Sequence, residues 1–506
     1  MTMEKHPNDK KPVVEYTAKI TLPNGEVIEK TVSTVGAFPS LEDFDLSTRE
    51  GFLQDFDLLE KTVLETSRKL NGELSREYLD ASSKKKTETK VRPTSLESES
   101  GRIAIRVHGA FADSLQPKER VLSLSFLEAA SCVCTKTSYR DAADILNRFL
   151  GRAGTNTIKL RTLSDSICRI GAEISEELSD VTAHILSMYG FDGESGLPLE
   201  NVTLSDNITA AAGSHGVRPA DPKIEEIIAA VNGSREEKIP FSAAEIKIES
   251  VPEECVYVSI DDIGVKHQKD SRKEGSVRDY KYVENTVAHI QYGDESYILT
   301  GIGMRNVFKS VLAFLLVNNL LSRELVFLTD GAQDLRSHIQ SIFQFHPYTV
   351  ILDWFHLKKR CQEWLSMAIC GKERRNAVLE KALRYLWVGD VTSASEYLSS
   401  LDPADIKNRK WLDDLLGYFQ KKGDTITCYA LRARLGLRNS SNPVEKANDL
   451  IVAGRQKHNG MAWSPSGSGA LASLQMIYLN HQSDLWFHRK ELRLFSPSLE
   501  NTRRAA

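Results

Sequence analysis

The segment Leu325-Val-Phe-Leu-Thr-Asp-Gly331 decides the fold that we predict for the second half of this chain. A short apolar run that ends in an aspartate and a glycine is typical of a buried strand followed by a turn. Two other apolar runs also end in aspartate, because Val256-Tyr-Val-Ser-Ile260 precedes Asp261-Asp262 and Thr349-Val-Ile-Leu352 precedes Asp353. We therefore expect a sheet with several carboxylates at one edge.

Further elements lie between these three strands. Tyr282–Ile290 and Ser296–Ile302 have the pattern of strands, and Arg305–Leu321 and Gln333–Phe343 have that of helices. The order βββαβαβ predicts an α/β fold, with a mixed sheet and helices on both faces. We assign residues 255–356 and 438–480 to this core, and residues 357–437 to a large all-α insertion.

The strand-ending carboxylates are the candidate functional residues. Asp261, Asp330 and Asp353 would meet at one sheet edge if their strands are parallel neighbours. Clustered carboxylates repel one another and are tolerated mainly where a divalent cation neutralises them. Oxygen ligands suit Mg²⁺ or Mn²⁺, and two such ions support phosphoryl transfer. Asp262 competes with Asp261 for the first position, and Asp353 has a structural alternative as a turn former or helix cap.

A third carboxylate has to come from a later helix. Asn442 is a good N-cap, Pro443 suits the first helical position, and Glu445 then falls in the first turn. An acid in that position also stabilises a helix through its dipole, so the spacing alone leaves the role of Glu445 open.

Four segments resemble the DDE transposases of bacterial insertion sequences, which have an RNase H-like core. They are Asp261-Asp-Ile-Gly-Val265, Thr329-Asp-Gly-Ala332, Asp353-Trp-Phe-His356, and Asn442-Pro-Val-Glu-Lys446 with Gly460-Met-Ala-Trp-Ser464. The resemblance covers roughly the C-terminal half. It implies Asp261, Asp330 and Glu445 as catalytic and metal-binding residues, with two Mg²⁺ or Mn²⁺ ions. Asp262 stands where the family often has glycine, which keeps the first assignment open.

A protein of this family would bind transposon ends, cleave phosphodiester bonds and join the 3′-hydroxyls to target DNA, as a homo-oligomer. Two rivals remain: a catalytically silent DNA-binding protein, and an RNase H-like nuclease that cuts without strand transfer. Asp262, Asp353 and His356 are possible accessory residues. The remaining candidates for DNA contacts in this half could equally be solvated or packing side chains; they are Lys358, Lys359, Arg360, Arg432, Arg434, Lys446, Arg455 and Trp463.

Residues 101–195 have the pattern of a helical domain. Helices are predicted over Lys118–Val133, Ser138–Leu150, Thr157–Ile174 and Glu177–Met188. The second and third, joined by a glycine-containing turn, have helix-turn-helix spacing, and Ser138-Tyr-Arg-Asp-Ala-Ala-Asp-Ile-Leu146 resembles that motif in the same family. The start of the third helix would then read DNA through Asn156, Thr157, Lys159 and Arg161. The alternative is a packing or dimerisation module.

The remaining regions are assigned by composition. Residues 1–12 are expected to be disordered, Val13–Val32 to form a hairpin around Asn24-Gly25, and Leu41–Leu79 to contain a helix. Ser82–Ser100 is expected to be a linker that closes an N-terminal region of residues 1–100. Residues 196–254 are a connector, and 481–506 a tail.

The bulk properties exclude some classes of protein. The 506 residues carry a formal net charge of -4, so any DNA-binding surface must come from local patches. Seven scattered cysteines lack zinc-finger spacing and indicate reduced thiols. The absence of a signal region or a long apolar run predicts a cytoplasmic protein without membrane contact.

Overall fold

The computed structural model describes residues 11–88, 90–116, 119–200, 222–243, 245, 255–268, 282–457 and 461–495. Most of the segment predicted to be disordered, residues 1–12, lies outside the described residues, as do much of the connector and the end of the tail. The chain divides into two compact units, one up to Ile167 and one from Cys168 onward.

The first unit begins with the predicted hairpin. Strands β1 (Val13–Thr21) and β2 (Val27–Val35) pair in antiparallel fashion, and Gly25 takes a positive φ of 84° in the turn between them. Helix α1 (Arg49–Lys84) begins later than expected, because the Thr48 side chain accepts a hydrogen bond from the backbone N–H of Gly51 and caps the helix.

The prediction of a linker over Ser82–Ser100 is wrong, because this stretch contains the end of α1 and a strand. The elements here are β3 (Val91–Ser98), β4 (Gly101–His108), α2 (Gly109–Ser114) and β5 (Arg120–Leu122). Strand β3 pairs with β4 in antiparallel and with β5 in parallel fashion. The first unit is therefore not wholly helical after its hairpin, and the helix expected from Lys118 begins only after β5.

A buried carboxylate explains why this polar stretch is ordered. The Glu97 side chain is fully buried and accepts hydrogen bonds from Arg102 at 2.8 Å, Arg120 at 3.0 Å and Arg152 at 2.8 Å. Arg152 also donates to the backbone carbonyl of Ser98 and lies over the Phe126 ring. The sheet is thus joined to the helices that follow by a compensated buried charge.

Three helices complete this region: α3 (Leu124–Lys136), α4 (Tyr139–Phe149) and α5 (Leu160–Met188). The predicted cap of α4 is confirmed, because the Ser138 hydroxyl accepts a hydrogen bond from Asp141 N. The two helices expected over Thr157–Ile174 and Glu177–Met188 are one continuous helix, since no glycine or proline interrupts the chain between them.

The second unit contains the predicted mixed sheet. The elements up to the end of this sheet are α6 (Pro222–Gly233), β6 (Cys255–Lys266), β7 (Tyr282–Tyr292), β8 (Glu295–Gly301), α7 (Met304–Val317), β9 (Glu324–Thr329), α8 (Gln333–Phe343) and β10 (Thr349–Leu352). The strands lie in the order β10-β9-β6-β7-β8, with β7 antiparallel to β6 and β8, and with β9 and β10 parallel to β6. This arrangement is RNase H-like.

Helices cover both faces of this sheet, as the side chains of β9 show, because successive ones point to opposite faces. Phe327 packs against Phe308 of α7 and Phe343 of α8. Val326 and Leu328 point to the opposite face and belong to a core cluster that contains the helices of the insertion. The strand is therefore buried on both sides.

The all-α insertion follows β10 and leads into the last part of the core. Its helices are α9 (Trp354–Ala368), α10 (Lys372–Trp387), α11 (Val391–Ser399), α12 (Arg409–Lys422) and α13 (Tyr429–Arg434). The later helices are α14 (Asn442–Asn448), α15 (Gly454–Gln456), α16 (Pro465–Leu479) and α17 (Ser483–Arg489). A five-residue π-helical turn, Asp449–Ala453, joins α14 to α15.

The two ends of the insertion are held together by hydrogen bonds. Trp354 N donates to the carbonyl of Asn439 at 3.0 Å, and the Tyr429 hydroxyl donates to the carbonyl of Leu352 at 2.8 Å. The insertion therefore leaves and re-enters the core at one place.

None of the seven cysteines forms a disulfide. Within the residues that the structure describes, no helix combines the length and the apolar character that crossing a bilayer requires.

Candidate active site

Asp261 and Asp330 lie on the same side of neighbouring parallel strands. Tyr257 pairs with Val326 and Ser259 with Leu328, so Asp261 and Asp330 follow two positions further along the same register. The side chain of Asp261 lies close enough to Asp330 for their charges to interact. Burial, followed by repulsion from Asp330, raises the pKa of Asp261.

Asp262 faces the other side of the sheet, because successive side chains of a strand alternate. Its carboxylate accepts a hydrogen bond from the Thr286 hydroxyl at 2.5 Å. Asp334 and His338 of α8 line the same cleft as Asp262. Burial raises the pKa of Asp262 as well. The alternation thus separates two adjacent aspartates that the sequence left as rivals. The charge of Asp330 raises the pKa of both, but it comes directly after burial as a cause for Asp261 and is a lesser cause for Asp262.

Asp353 has a structural position. Its side chain is fully buried, caps α9 by accepting a hydrogen bond from His356 N at 2.9 Å, and accepts two more from the backbone N–H and the hydroxyl of Ser441. Burial raises the pKa of Asp353, but the hydrogen bonds from His356 and Ser441 outweigh that effect and lower it to about 2. Asp353 therefore joins the end of β10 to the start of α14.

The His356 ring lies between two carboxylates. Its Nδ1 is 3.3 Å from Asp353 Oδ1, and its Nε2 is 3.8 Å from Glu445 Oε1. The Asp353 carboxylate beside the ring raises the pKa of His356, and the charges of Asp330 and Glu445 act in the same direction. The protonated ring would thus hold a proton beside the carboxylate site.

Glu445 lies in the short helix α14, which begins at Asn442 with Ser441 as the residue before it. Asn442 was expected to be the N-cap; the boundary differs by one residue because Ser441 is held by Asp353. The Glu445 side chain is about half exposed, at 45% of its full accessibility, so the carboxylate has room to turn.

The sequence interpretation missed Asn448. This side chain is buried at 5% exposure, and its Nδ2 donates to Asp261 Oδ2 at 2.7 Å. Asp262 N donates to the other oxygen of the same carboxylate at 2.9 Å. Asn448 follows Glu445 by three positions, which places both on one face of the helix. That i, i+3 spacing was the available signal.

The donor set has the chemistry of a magnesium or manganese site, with carboxylate oxygens and a repulsion between Asp261 and Asp330 that raises the pKa of Asp261. Among the described residues, however, no three His, Cys, Asp or Glu side chains stand close enough together to hold a metal ion. Glu445 points toward His356, and it would have to rotate to complete a set of three ligands with the two aspartates.

Three of the residues predicted to contact DNA are buried, which corrects that expectation. Arg432 is 1% exposed, and its guanidinium donates to the carbonyl of Arg438 at 2.6 Å and to the side chain of Asn439 at 3.1 Å. Trp463 is 7% exposed and donates through Nε1 to the carbonyl of Gln456 at 3.0 Å.

Arg455 is the third buried side chain. It is 5% exposed and lies over the ring of Trp463, with 5.3 Å between its guanidinium carbon and the ring centre. Its packing against that ring keeps it from a DNA backbone in this conformation. The other predicted contacts in this unit are exposed: Lys358, Lys359, Arg360, Arg434 and Lys446.

In the first unit, α5 begins at Leu160, so Asn156, Thr157 and Lys159 precede the helix that they were expected to start. Asn156 lies in a short 3₁₀ turn, and its side-chain oxygen accepts a hydrogen bond from Arg102 N at 3.4 Å. Arg161 is exposed and pairs with Asp165 at 3.4 Å.

Comparisons with known proteins give little. No family model matches the chain, and no curated protein matches it either. A solved structure, the Drosophila P element transposase strand transfer complex, is similar with a TM-score of 0.21 and 10% identity, covering 76% of this chain and 86% of that chain. A similarity of this size does not assign an activity, so any functional conclusion depends on the geometry of the carboxylate site.

Proposed function

We propose that this protein is a metal-dependent DNA transposase of the DDE type. The observation that carries the proposal is the proximity of Asp261, on β6, to Asp330, which directly follows the parallel strand β9, beside a helix that bears Glu445 and Asn448. Carboxylates brought together at the end of parallel strands are costly unless a cation is bound there. A structural role for both aspartates would not require them to face each other.

Asp261, Asp330 and Glu445 would hold one or two Mg²⁺ or Mn²⁺ ions. When bound, such ions activate a water or a 3′-hydroxyl and stabilise the leaving oxygen of an in-line displacement. Asn448 fixes the orientation of the Asp261 carboxylate through its hydrogen bond. His356 lies 3.3 Å from Asp353 and 3.8 Å from Glu445, where its ring would donate a proton to the site or accept one from it.

The DNA would be held by exposed basic side chains near this edge. Lys358, Lys359 and Arg360 form an exposed run on α9, which begins directly after β10. Such residues neutralise phosphates and carry no sequence preference. Lys446 is exposed on α14, one residue after Glu445. Recognition of transposon ends, capture of target DNA and assembly into a homo-oligomer belong to the same proposal.

The test is cleavage of a labelled duplex that carries the terminal inverted repeat of the element encoding this chain. Wild-type protein with Mg²⁺ or Mn²⁺ is expected to nick at the repeat boundary and then to join the released 3′-end to a second duplex. Asp330→Asn should abolish both products. Nicking without joined products would indicate a nuclease that lacks strand transfer, and specific binding without any cleavage would indicate a silent DNA-binding protein. Either outcome would overturn the proposal.

A further inference from the structure

Helix α12 of the insertion reaches the turn that follows Asp330. Gly331 has a positive φ of 89°, and a Cβ placed on it would lie 3.1 Å from the Tyr418 hydroxyl oxygen and 3.9 Å from Cε of Lys422. Tyr418 and Lys422 are one helical turn apart, so both project from the same face of α12. The insertion thus contributes two polar side chains beside the second catalytic aspartate.

Lys422 is unusual for a lysine because its side chain is buried, with 8% of the residue exposed. In the described part of the chain, its ammonium group makes no hydrogen bond or ion pair within 4.0 Å. Arg336, which lies near enough to repel it, is already paired with Asp424. Burial, and then the charge of Arg336, lowers the pKa of Lys422. The charges of Asp424 and Asp330 act in the opposite direction, but neither carboxylate forms an ion pair with the ammonium group. A partly buried cation of this kind is costly, and an anion at this position would offset that cost.

Asp330 is near enough for its charge to act on Lys422 and on Tyr418. The Asp330 carboxylate would also bind a metal ion in the proposed function, so it cannot fully neutralise the charge of the lysine when that ion is bound. The neighbouring residue on the helix, Lys421, is exposed and provides a contrast of equal charge.

We propose that Lys422, with the Tyr418 hydroxyl beside it, binds a DNA backbone phosphate adjacent to the scissile bond. The inference rests on the proposed function and deepens it, because it makes the helical insertion a part of the substrate-binding site. A lysine suits this role as a point charge, and a tyrosine hydroxyl donates a hydrogen bond to a phosphate oxygen. Both groups lie beside Gly331, one residue from the aspartate proposed to hold metal.

The test compares Lys422→Gln with Lys421→Gln in the full chain, using the labelled duplex above. Binding is measured in Ca²⁺ over a series of salt concentrations, and cleavage is measured separately in Mg²⁺. Affinity falls as salt rises, and loss of one phosphate contact makes the slope of log affinity against log salt less steep by about 0.9. We expect that change, and a cleavage rate lower by about tenfold or more, for Lys422→Gln only. Lys422→Arg should restore most of the salt dependence of binding. Tyr418→Phe should lower the cleavage rate but leave that salt dependence unchanged.

Equal slopes for Lys422→Gln, Lys421→Gln and the wild type would overturn the inference while leaving the proposed function intact. A lower unfolding midpoint for Lys422→Gln with an unchanged slope would likewise overturn it, because this is the result of a purely structural role. Failure of the wild-type protein to bind any duplex would remove the proposed function, and this inference with it.

Discussion

The hydrogen bonds around Asp353 lead to a quantitative prediction for Asp353→Asn. The ordinary carboxyl pKa of 3.8 falls to about 2 in the folded chain, because His356 and Ser441 donate to the buried anion. At about 1.36 kcal/mol per pKa unit, this difference corresponds to about 2 kcal/mol of folding free energy at neutral pH. Because the folded pKa is depressed, that contribution is complete above about pH 5 and is lost as the pH falls toward 2.

The assay is unfolding by urea, followed by tryptophan fluorescence. All six tryptophans lie between Trp354 and Trp486, so their fluorescence reports on the second unit alone. Asp353→Asn should lower the free energy of unfolding by about 2 kcal/mol at pH 7, and the difference from wild type should shrink steadily below pH 4.

A matched control is Asp390→Asn, at an aspartate that caps α11 with one hydrogen bond from Ser393 N. Asparagine is as good an N-cap as aspartate, so this control should change stability by only a few tenths of a kcal/mol. If Asp353→Asn proved no more destabilising than the control, or if its effect did not depend on pH, then Asp353 would not join β10 to α14 as we describe.

Three further changes test other parts of the structure. Glu97→Gln leaves three arginines around a neutral side chain, so it should destabilise the first unit by about 3–5 kcal/mol. Circular dichroism should detect this loss, whereas the unfolding transition followed by tryptophan fluorescence should stay unchanged. An unchanged unfolding transition of the first unit would refute the buried-charge account. Asn448→Ala removes the hydrogen bond to Asp261, so it should weaken Mn²⁺ binding and cleavage by about 10–100-fold; wild-type metal affinity would show that Asn448 does not orient the ligand. Gly331→Ala places a Cβ 2.9 Å from a Leu352 methyl carbon at a φ of 89°. It should lower the free energy of unfolding, followed by tryptophan fluorescence, by at least about 2 kcal/mol. An unchanged free energy would contradict the close approach of β10 and α12 to this turn.

Much of the mixed-sheet core could be predicted from the sequence. The apolar runs before Asp261 and Asp330 are long and strongly β-like, so local pattern and final structure agree. The choice between Asp261 and Asp262 needed the register between β6 and β9, which only the paired strands supply. Period-two alternation then assigns each aspartate to one face.

Residues whose partners are distant in sequence could not be predicted in the same way. Glu97 lies in a polar stretch with the composition of a linker, and Arg152, which pairs with it, is 55 positions away. Arg432 is a different case, because its partners Arg438 and Asn439 are only six and seven positions away, yet nothing in its basic surroundings indicates that it is buried. Polar side chains are ordered here by specific pairing, which composition does not reveal.

The central claim is that Asp261, and not its neighbour Asp262, helps to bind metal beside Asp330. The most direct test is Mn²⁺ binding, measured by isothermal titration calorimetry, for the wild-type chain, Asp261→Asn and Asp262→Asn. The account predicts that Asp261→Asn weakens Mn²⁺ binding by at least about tenfold, whereas Asp262→Asn stays within about twofold of wild type. Equal affinities for all three proteins, or a loss confined to Asp262→Asn, would contradict it.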